Sequence, residues 1–304
     1  MSVGPELFIP IGRDERASEA IVRPRITYWQ DAWRRFKQNR LATVGLIMLI
    51  LLVLAAVFGP MVAKHKYDEQ DYSHLNEPPS REYWFGTDEI GRDLLVRVLH
   101  GARISIAIGV VSSLINLTIG VTYGAISGFA GGRVDDIMMR IVDILYAIPT
   151  LLIVILLMVI LGAGLTNIFI SLGIAYWLTM ARIVRGQILS IKEQDYILAA
   201  RTIGVPRWKL IMKHLVPNAM GPIVVYATLS IPTAIFLEAF LSFIGLGVSA
   251  PVASWGTLAS DGLKSIRSYP WQLFFPAAAI SVCLLGFNFV GDGLRDALDP
   301  RLRK

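Results

Sequence analysis

The sequence predicts an all-α, polytopic membrane protein with six transmembrane helices. Three observations carry this reading. Of the 304 residues, 54% are hydrophobic and only 17% are charged, too apolar a balance for an ordinary soluble domain. The charges are clustered, with no acid or base from Ile144 to Ala181 or from Ser268 to Gly291. Uncharged runs of that length suit the roughly 20 helical residues that a hydrocarbon core about 30 Å thick requires.

Helix breakers delimit spans at 41–63, 104–127, 138–161, 166–184, 219–244 and 273–290. Residues 1–40 form a polar tail that ends in WRRFKQNR, where Trp33, Phe36 and the basic cluster suit an inner membrane surface. The run after it is too long for a signal-peptide core, so span 1 is expected to remain as an anchor. Six spans place both termini on one side. With the N-terminus inside, cytoplasmic segments hold 21 of the 29 Lys and Arg and the outer segments hold 8, so both termini are expected in the cytoplasm. The net charge of +6 reflects this bias, and no nucleic-acid partner is expected.

Span 2 carries Ser112, Asn116, Gly120, Gly124 and Gly128 at every fourth position, giving the overlapping units GVTYG and GAISG. Small residues at that spacing let another helix backbone come close, which drives packing in lipid. Packing within the chain and a pore or subunit contact both remain open. Pro149, Pro222, Pro232 and Pro276 interrupt spans 3, 5 and 6 and mark candidate moving helices. Glu238 in IFLEAFLSFIG is the one acid well inside a span, so it should face the bundle interior, water or a partner. A gate role for Glu238, with Asn116 and Ser242, stands beside a structural hydrogen bond. Asp143 reads as a local pair with Arg140.

Between spans 1 and 2 a loop at 64–103 holds eight Asp and Glu. At its end Ile90, Leu94, Leu95, Val98 and Leu99 share a helical face, predicting an amphipathic helix capped by Thr87 or Asp88. It serves either as an interfacial anchor or as a docking platform or lid. Enzyme signatures are missing. GLGVSA at 245–250 follows an apolar span rather than a strand, and there is no P-loop, HExxH or GxSxG. The single Cys283 and the four histidines show no metal-ligand spacing.

The segment AARTIGVPRWKLIMKHLVPN at 199–218 lies between spans 4 and 5 and is basic, with Arg201, Arg207, Lys209, Lys213 and His214. Tyr196, Ala199, Ala200 and Ile203 make a short stripe, and Gly204 suits the turn after it. Pro206 suits the start of a second helix, on which Trp208, Ile211 or Met212, and Leu215 share a face before Pro217 ends it. The segment suits either anionic lipid or a protein cleft, and the Ala pair favours the cleft.

Here the chain resembles the membrane subunits of ABC importers, in their oligopeptide/dipeptide permease group. The cytoplasmic EAA---G---------I-LP pattern of that family falls on Leu198-Ala199-Ala200, Gly204, His214 and Val216-Pro217, with Leu198 in place of Glu. The blocks FGTDEIGRDLLVRVLHGARIS, GGRVDDIMMRIVDILYAIP, MARIVRGQILS, LEAFLSFIGLG, ASWGTLASDG and FNFVGDGLRDALDP resemble the family's in its order, and WQDAWRRFKQNR and LDPRLRK resemble its C-type subunit.

The resemblance implies a MetI-like, type I importer core in a bacterial inner membrane. It implies a division into tail 1–40, anchor 41–63, extracytoplasmic loop 64–103, core 104–290 with cytoplasmic loop 185–217, and tail 291–304. It also implies a second, homologous permease as heterodimer partner, two ATPase subunits, an external substrate-binding protein and a peptide cargo. ATP and magnesium would be held by the ATPases, with no cofactor on this chain. Leu198, Ala199, Ala200, Arg201, Gly204, Trp208, His214 and Pro217 would then form the ATPase-coupling loop. Nickel complexes, glutathione or oligosaccharides are the alternative cargoes, and an ion-coupled secondary transporter is the alternative class.

Overall fold

The computed structural model describes residues 27–248 and 251–299. The N-terminal tail up to residue 26, the end of GLGVSA and the terminal RLRK lie outside the described residues. Within them the chain is helical, with one isolated antiparallel bridge between Thr87 and Asp93. The helices are α1 (Tyr28–Gln38), α2 (Arg40–Val62), α3 (Leu94–Ala130), α4 (Gly132–Tyr146), α5 (Thr150–Leu161) and α6 (Leu165–Lys192). There follow α7 (Asp195–Thr202), α8 (Arg207–Leu210), a π-helical turn at Ile211–Leu215, α9 (Val216–Asn218), α10 (Met220–Phe243), α11 (Trp255–Lys264) and α12 (Trp271–Leu298).

Five helices, α2, α3, α6, α10 and α12, are each long and apolar enough to cross a membrane. The sixth expected span is not straight. α4 and α5 meet at a bend of 79° around Ala147–Pro149, a broken span or re-entrant loop. The break falls at Pro149, the proline expected to interrupt span 3. Proline removes a backbone donor and crowds the preceding turn, and Pro149 becomes the N-cap of α5. The other prolines do not break their helices. α10 continues through Pro222 and Pro232, and α12 through Pro276.

The centre of the bundle is a close, parallel seam between α3 and α6. A Cβ built on Gly120 would lie 2.5 Å from Met180 Cβ, and one on Gly124 would lie 2.3 Å from the Ala181 carbonyl oxygen. On Gly128 it would come within 2.9 Å of the Arg185 carbonyl oxygen. The glycine stripe of span 2 is therefore packed inside this chain. It draws together Val184 and Ile188 of α6, both fully buried. α10 packs beside the seam, where Ser113 Oγ donates to the Ala227 carbonyl at 2.7 Å.

α1 lies against the end of α12. Thr27 and Gln30 form a capping box, and Tyr28 Oη donates to the Leu298 carbonyl at 3.3 Å. Phe36, expected on a membrane surface, is buried and faces Gly293, while Trp29 and Trp33 stay exposed. Asn39 ends α1 and caps α2, turning the chain directly into the first span.

At the opposite end, residues 63–93 fold over α3, α11 and α12. The expected helix start at Thr87 or Asp88 is displaced to Leu94, with Asp93 as the cap. Asp88 instead closes a turn, accepting Ile90 N–H and Arg92 N–H on Oδ1, and it pairs with Arg92 and with the buried Arg97 through Oδ2. Ile90 thus belongs to the turn, and α3 runs unbroken from the end of the loop to the far end of the seam. Gln272 of α12 donates to Asn76 Oδ1 at 2.8 Å and to the Thr87 carbonyl at 3.0 Å, and Phe85 stacks on Phe275 at 3.8 Å.

The same loop carries a titratable latch, in which His74 Nδ1 lies 2.8 Å from Asp71 Oδ2. The Ser73 hydroxyl and amide, then His74, pull the Asp71 carboxyl down to about 2, and the hydrogen bond to Asp71 raises His74. Asp71 contributes above its unfolded value near 4 and loses that contribution as pH falls toward 2. His74 contributes fully below about 6.5 and loses its contribution as pH rises through its raised value.

Two outcomes are expected. Gly124→Leu should overpack the seam, costing about 1–3 kcal/mol and lowering the thermal midpoint of the detergent-solubilised protein, as measured by size-exclusion after heating. Amide exchange at residues 70–76, corrected for intrinsic rate, should quicken between pH 6 and pH 8.5, and His74→Ala should remove that difference.

Candidate functional site

α6 extends beyond the expected end of span 4 and delivers the chain to the basic hairpin α7–α9. A buried carboxylate fixes this delivery. Asp135 of α4 accepts Arg185 Nε and Nη2, each at 2.7 Å, and Ser127 Oγ at 2.5 Å. Bidentate guanidinium–carboxylate pairs fix direction as well as distance. Lys192 adds a bond to the Gly128 carbonyl at 2.9 Å, where positive charge favours the C-terminus of α3. Asp143 pairs with Arg182 at 2.6 Å, not with Arg140 as the sequence proximity indicated.

The hairpin has two faces, divided differently from the expected stripes. Ile197, Leu210, Ile211 and Leu215 turn inward and pack with Val184, Ile188, Ala219 and Ile223. Tyr196, Leu198, Ile203, Trp208 and Met212 turn outward, with Ile203 80% and Trp208 64% exposed. The Ala pair is split, Ala200 buried and Ala199 exposed. Trp208 and Leu215, placed on one face by helical spacing, lie on opposite faces. The reason is local. The π turn at Ile211–Leu215, where Val216 N–H reaches the Ile211 carbonyl, shifts the phase of every later residue. Pro217, which has no N–H and crowds the turn before it, follows directly in α9.

Gly204 has a φ of +78°, and Val205 N–H closes the end of α7 on the Ala200 carbonyl. Its missing Cβ would meet nothing, so backbone conformation, not space, demands glycine here. Arg201 lies over the Phe129 ring, 5.1 Å from its centroid, tying α7 to the end of α3. His214 is half-buried, and its carbonyl accepts Asn218 Nδ2. The hairpin thus exposes these apolar side chains together with Arg201, Arg207, Lys209 and Lys213, on a base packed against the bundle.

The three candidate pathway residues do not form one group. Glu238 is fully buried and accepts Ser254 Oγ at 2.6 Å, Ser242 Oγ at 2.7 Å and Ser105 Oγ at 3.3 Å. Ser105 Oγ also receives the Trp255 N–H at 3.1 Å, and the Trp255 indole donates to the Val98 carbonyl at 2.9 Å. Glu238 and Ser242 therefore join α3, α10 and the start of α11. Asn116 belongs to the seam, one turn below Ser112. Both amide atoms of Asn116 and the Ser112 hydroxyl are buried without a partner. Ser105 and Ser254 were missed in the sequence, because serines on different helices carry no spacing signal. α11 was also unforeseen as an element, although Ser254 and Thr257 make a capping box.

Comparison with known proteins places this geometry. The profile of the binding-protein-dependent transport system inner membrane component matches residues 120–304. That of the N-terminal TM domain of oligopeptide transport permease C matches residues 27–79. The chain belongs to this family of inner-membrane transport components, in its oligopeptide/dipeptide permease branch. It is 54% identical to the oligopeptide transport system permease protein OppC of Bacillus subtilis (strain 168), over 100% of this chain and 99% of that relative. It is 51% identical to the dipeptide transport system permease protein DppC of the same organism, over 99% and 95%. OppC of Escherichia coli (strain K12) is 47% identical over 95% and 96%.

Among solved structures, an inward-facing form of the MetNI methionine ABC transporter superposes with a TM-score of 0.56 at 21% identity. It covers 68% of this chain and 96% of that one. The fold is therefore a MetI-like permease core, and the chain is a membrane transport subunit of the ABC permease class, not an enzyme.

Glu238→Leu should lower stability by about 1–3 kcal/mol for each serine hydroxyl left unsatisfied, and Glu238→Gln by much less. Thermal midpoints of the two variants, read beside uptake, separate a structural carboxylate from one whose charge is used in transport.

Proposed function

We propose that the chain is one permease subunit of an ATP-driven importer of dipeptides or oligopeptides. A second homologous permease completes the pathway, two ATPase subunits bind at the hairpin end, and an external binding protein delivers the peptide. ATP and magnesium belong to the ATPases, and this chain holds no cofactor. Both termini and the hairpin face the cytoplasm, on the strength of the Lys and Arg bias. The cargo reading rests on the names of the relatives.

The observation that carries the coupling role is the exposed apolar patch of Tyr196, Leu198, Ile203, Trp208 and Met212 on a hairpin rigidly joined to α3 and α6. Large apolar side chains left exposed among basic residues suit a protein contact. A docked ATPase dimer that closes on ATP would carry the hairpin, and α6 would carry the motion to the bundle, biasing inward-open against outward-open states. Leu198 stands at the motif position where the family has Glu, and it is outward and apolar, adding to the patch.

The split of the Ala pair selects the test. An Ala200→Asp change would damage the chain's own packing, whereas Leu198→Asp and Trp208→Ala alter only the exposed face. Both should reduce labelled-peptide uptake in cells lacking the native chain, at unchanged membrane abundance. Gly204→Val should do so as well, since a β-branched residue in this conformation costs about 1–2 kcal/mol, a factor of roughly 5–30 in the population of the docked geometry. Normal uptake in all three variants would falsify the coupling role.

A further inference from the structure

A cleft of about 830 Å³ opens between the ends of α2 and α3 that lie under the 63–93 loop. We propose that it is a binding site for one membrane glycerophospholipid. Its lining is graded. Ala55, Gly59 and Val62 of α2, with Leu95 and Leu99 of α3, form an apolar wall, and Lys64, His65 and Arg81 stand above it. The wall continues the lipid-exposed face of α2, on which Leu54, Phe58 and Met61 are open. A lipid chain can therefore enter sideways from the bilayer without crossing a polar barrier.

The polar end has unused capacity for a phosphodiester. Lys64 and Glu82 pair with each other at 2.5 Å, and Asp93 accepts the Leu95 and Val96 amides through Oδ1. Arg81 makes no hydrogen bond or ion pair with the described residues, which leaves one free guanidinium at the rim. His65 Nε2 is a second unused group, buried without a partner while its ring stacks on Tyr83 at 5.2 Å. A guanidinium suits a phosphate oxygen pair, and the His65 nitrogen can hydrogen-bond a phosphate or glycerol oxygen. Trp84, exposed beside them, has the amphipathic ring that favours the headgroup level. The free charge at the rim and the apolar wall at chain depth together match an amphiphile rather than a free anion or a soluble peptide.

The full-length chain would be purified in mild detergent from membranes of phosphatidylethanolamine and phosphatidylglycerol, with any subunits that stay bound, and read by native mass spectrometry. Wild type should retain one phospholipid per chain. Arg81→Ala should lose most of that retention, and Ala55→Trp, which fills the wall from an exposed position, should abolish it. Soaking with inorganic phosphate should not displace the lipid. Absence of retained lipid in wild type overturns the site, as does equal retention in wild type and Arg81→Ala. Arg81 has no internal contact to lose, so its variant decides even where Ala55→Trp fails to accumulate. Peptide uptake is not part of the readout, so the outcome stands apart from the transport reading.

Discussion

The close parallel approach of α3 and α6 is the contact on which the rest of the molecule depends. It exists because Gly120, Gly124 and Gly128 leave room for the α6 backbone, down to the carbonyl oxygens of Ala181 and Arg185. In lipid, apolar side chains gain little from leaving their surroundings, so dense packing and polar links must hold helices together. The seam supplies the packing, and Asp135 with Arg185 and Ser127 supplies the link at its end. α6 and α3 are consequently packed closely along the seam, and the hairpin projects from its end.

That arrangement also orders the short segment that follows α6. α7 and α8 are too short to hold a helix alone in water. They are ordered by the inward residues Ile197, Leu210, Ile211 and Leu215, which bury against the ends of α6 and α10. The outward residues are left free by the same geometry.

At the other end the polar chemistry is spent on fastening. Glu238 gathers three serine hydroxyls from α3, α10 and the entry to α11, and Asp88 gathers two arginines and two amides. A buried carboxylate without such partners would be costly, and these donors satisfy its oxygens. The loop between α2 and α3 is held by the same means, through Gln272, and the cleft beneath it is left open beside the lipid-facing wall of α2.

The sequence by itself determined the helical class, the positions of the apolar spans, the small-residue stripe and the location of the basic hairpin. Each is a local signal, set by hydropathy, by a four-residue period or by a glycine that must adopt positive φ. Only tertiary structure decided which faces were used. The π turn before Pro217 rotated Leu215 away from Trp208, and Asp88 chose a turn over a helix cap because Arg92 and Arg97 were within reach. Pro149 bent a span while Pro232 did not, and neither outcome is written in the proline alone. The partners of Glu238 come from residues up to 133 positions away, a distance over which no sequence period extends. Side-chain direction and long-range pairing depend on the phase and crossing of whole helices, and those are fixed only when the helices pack.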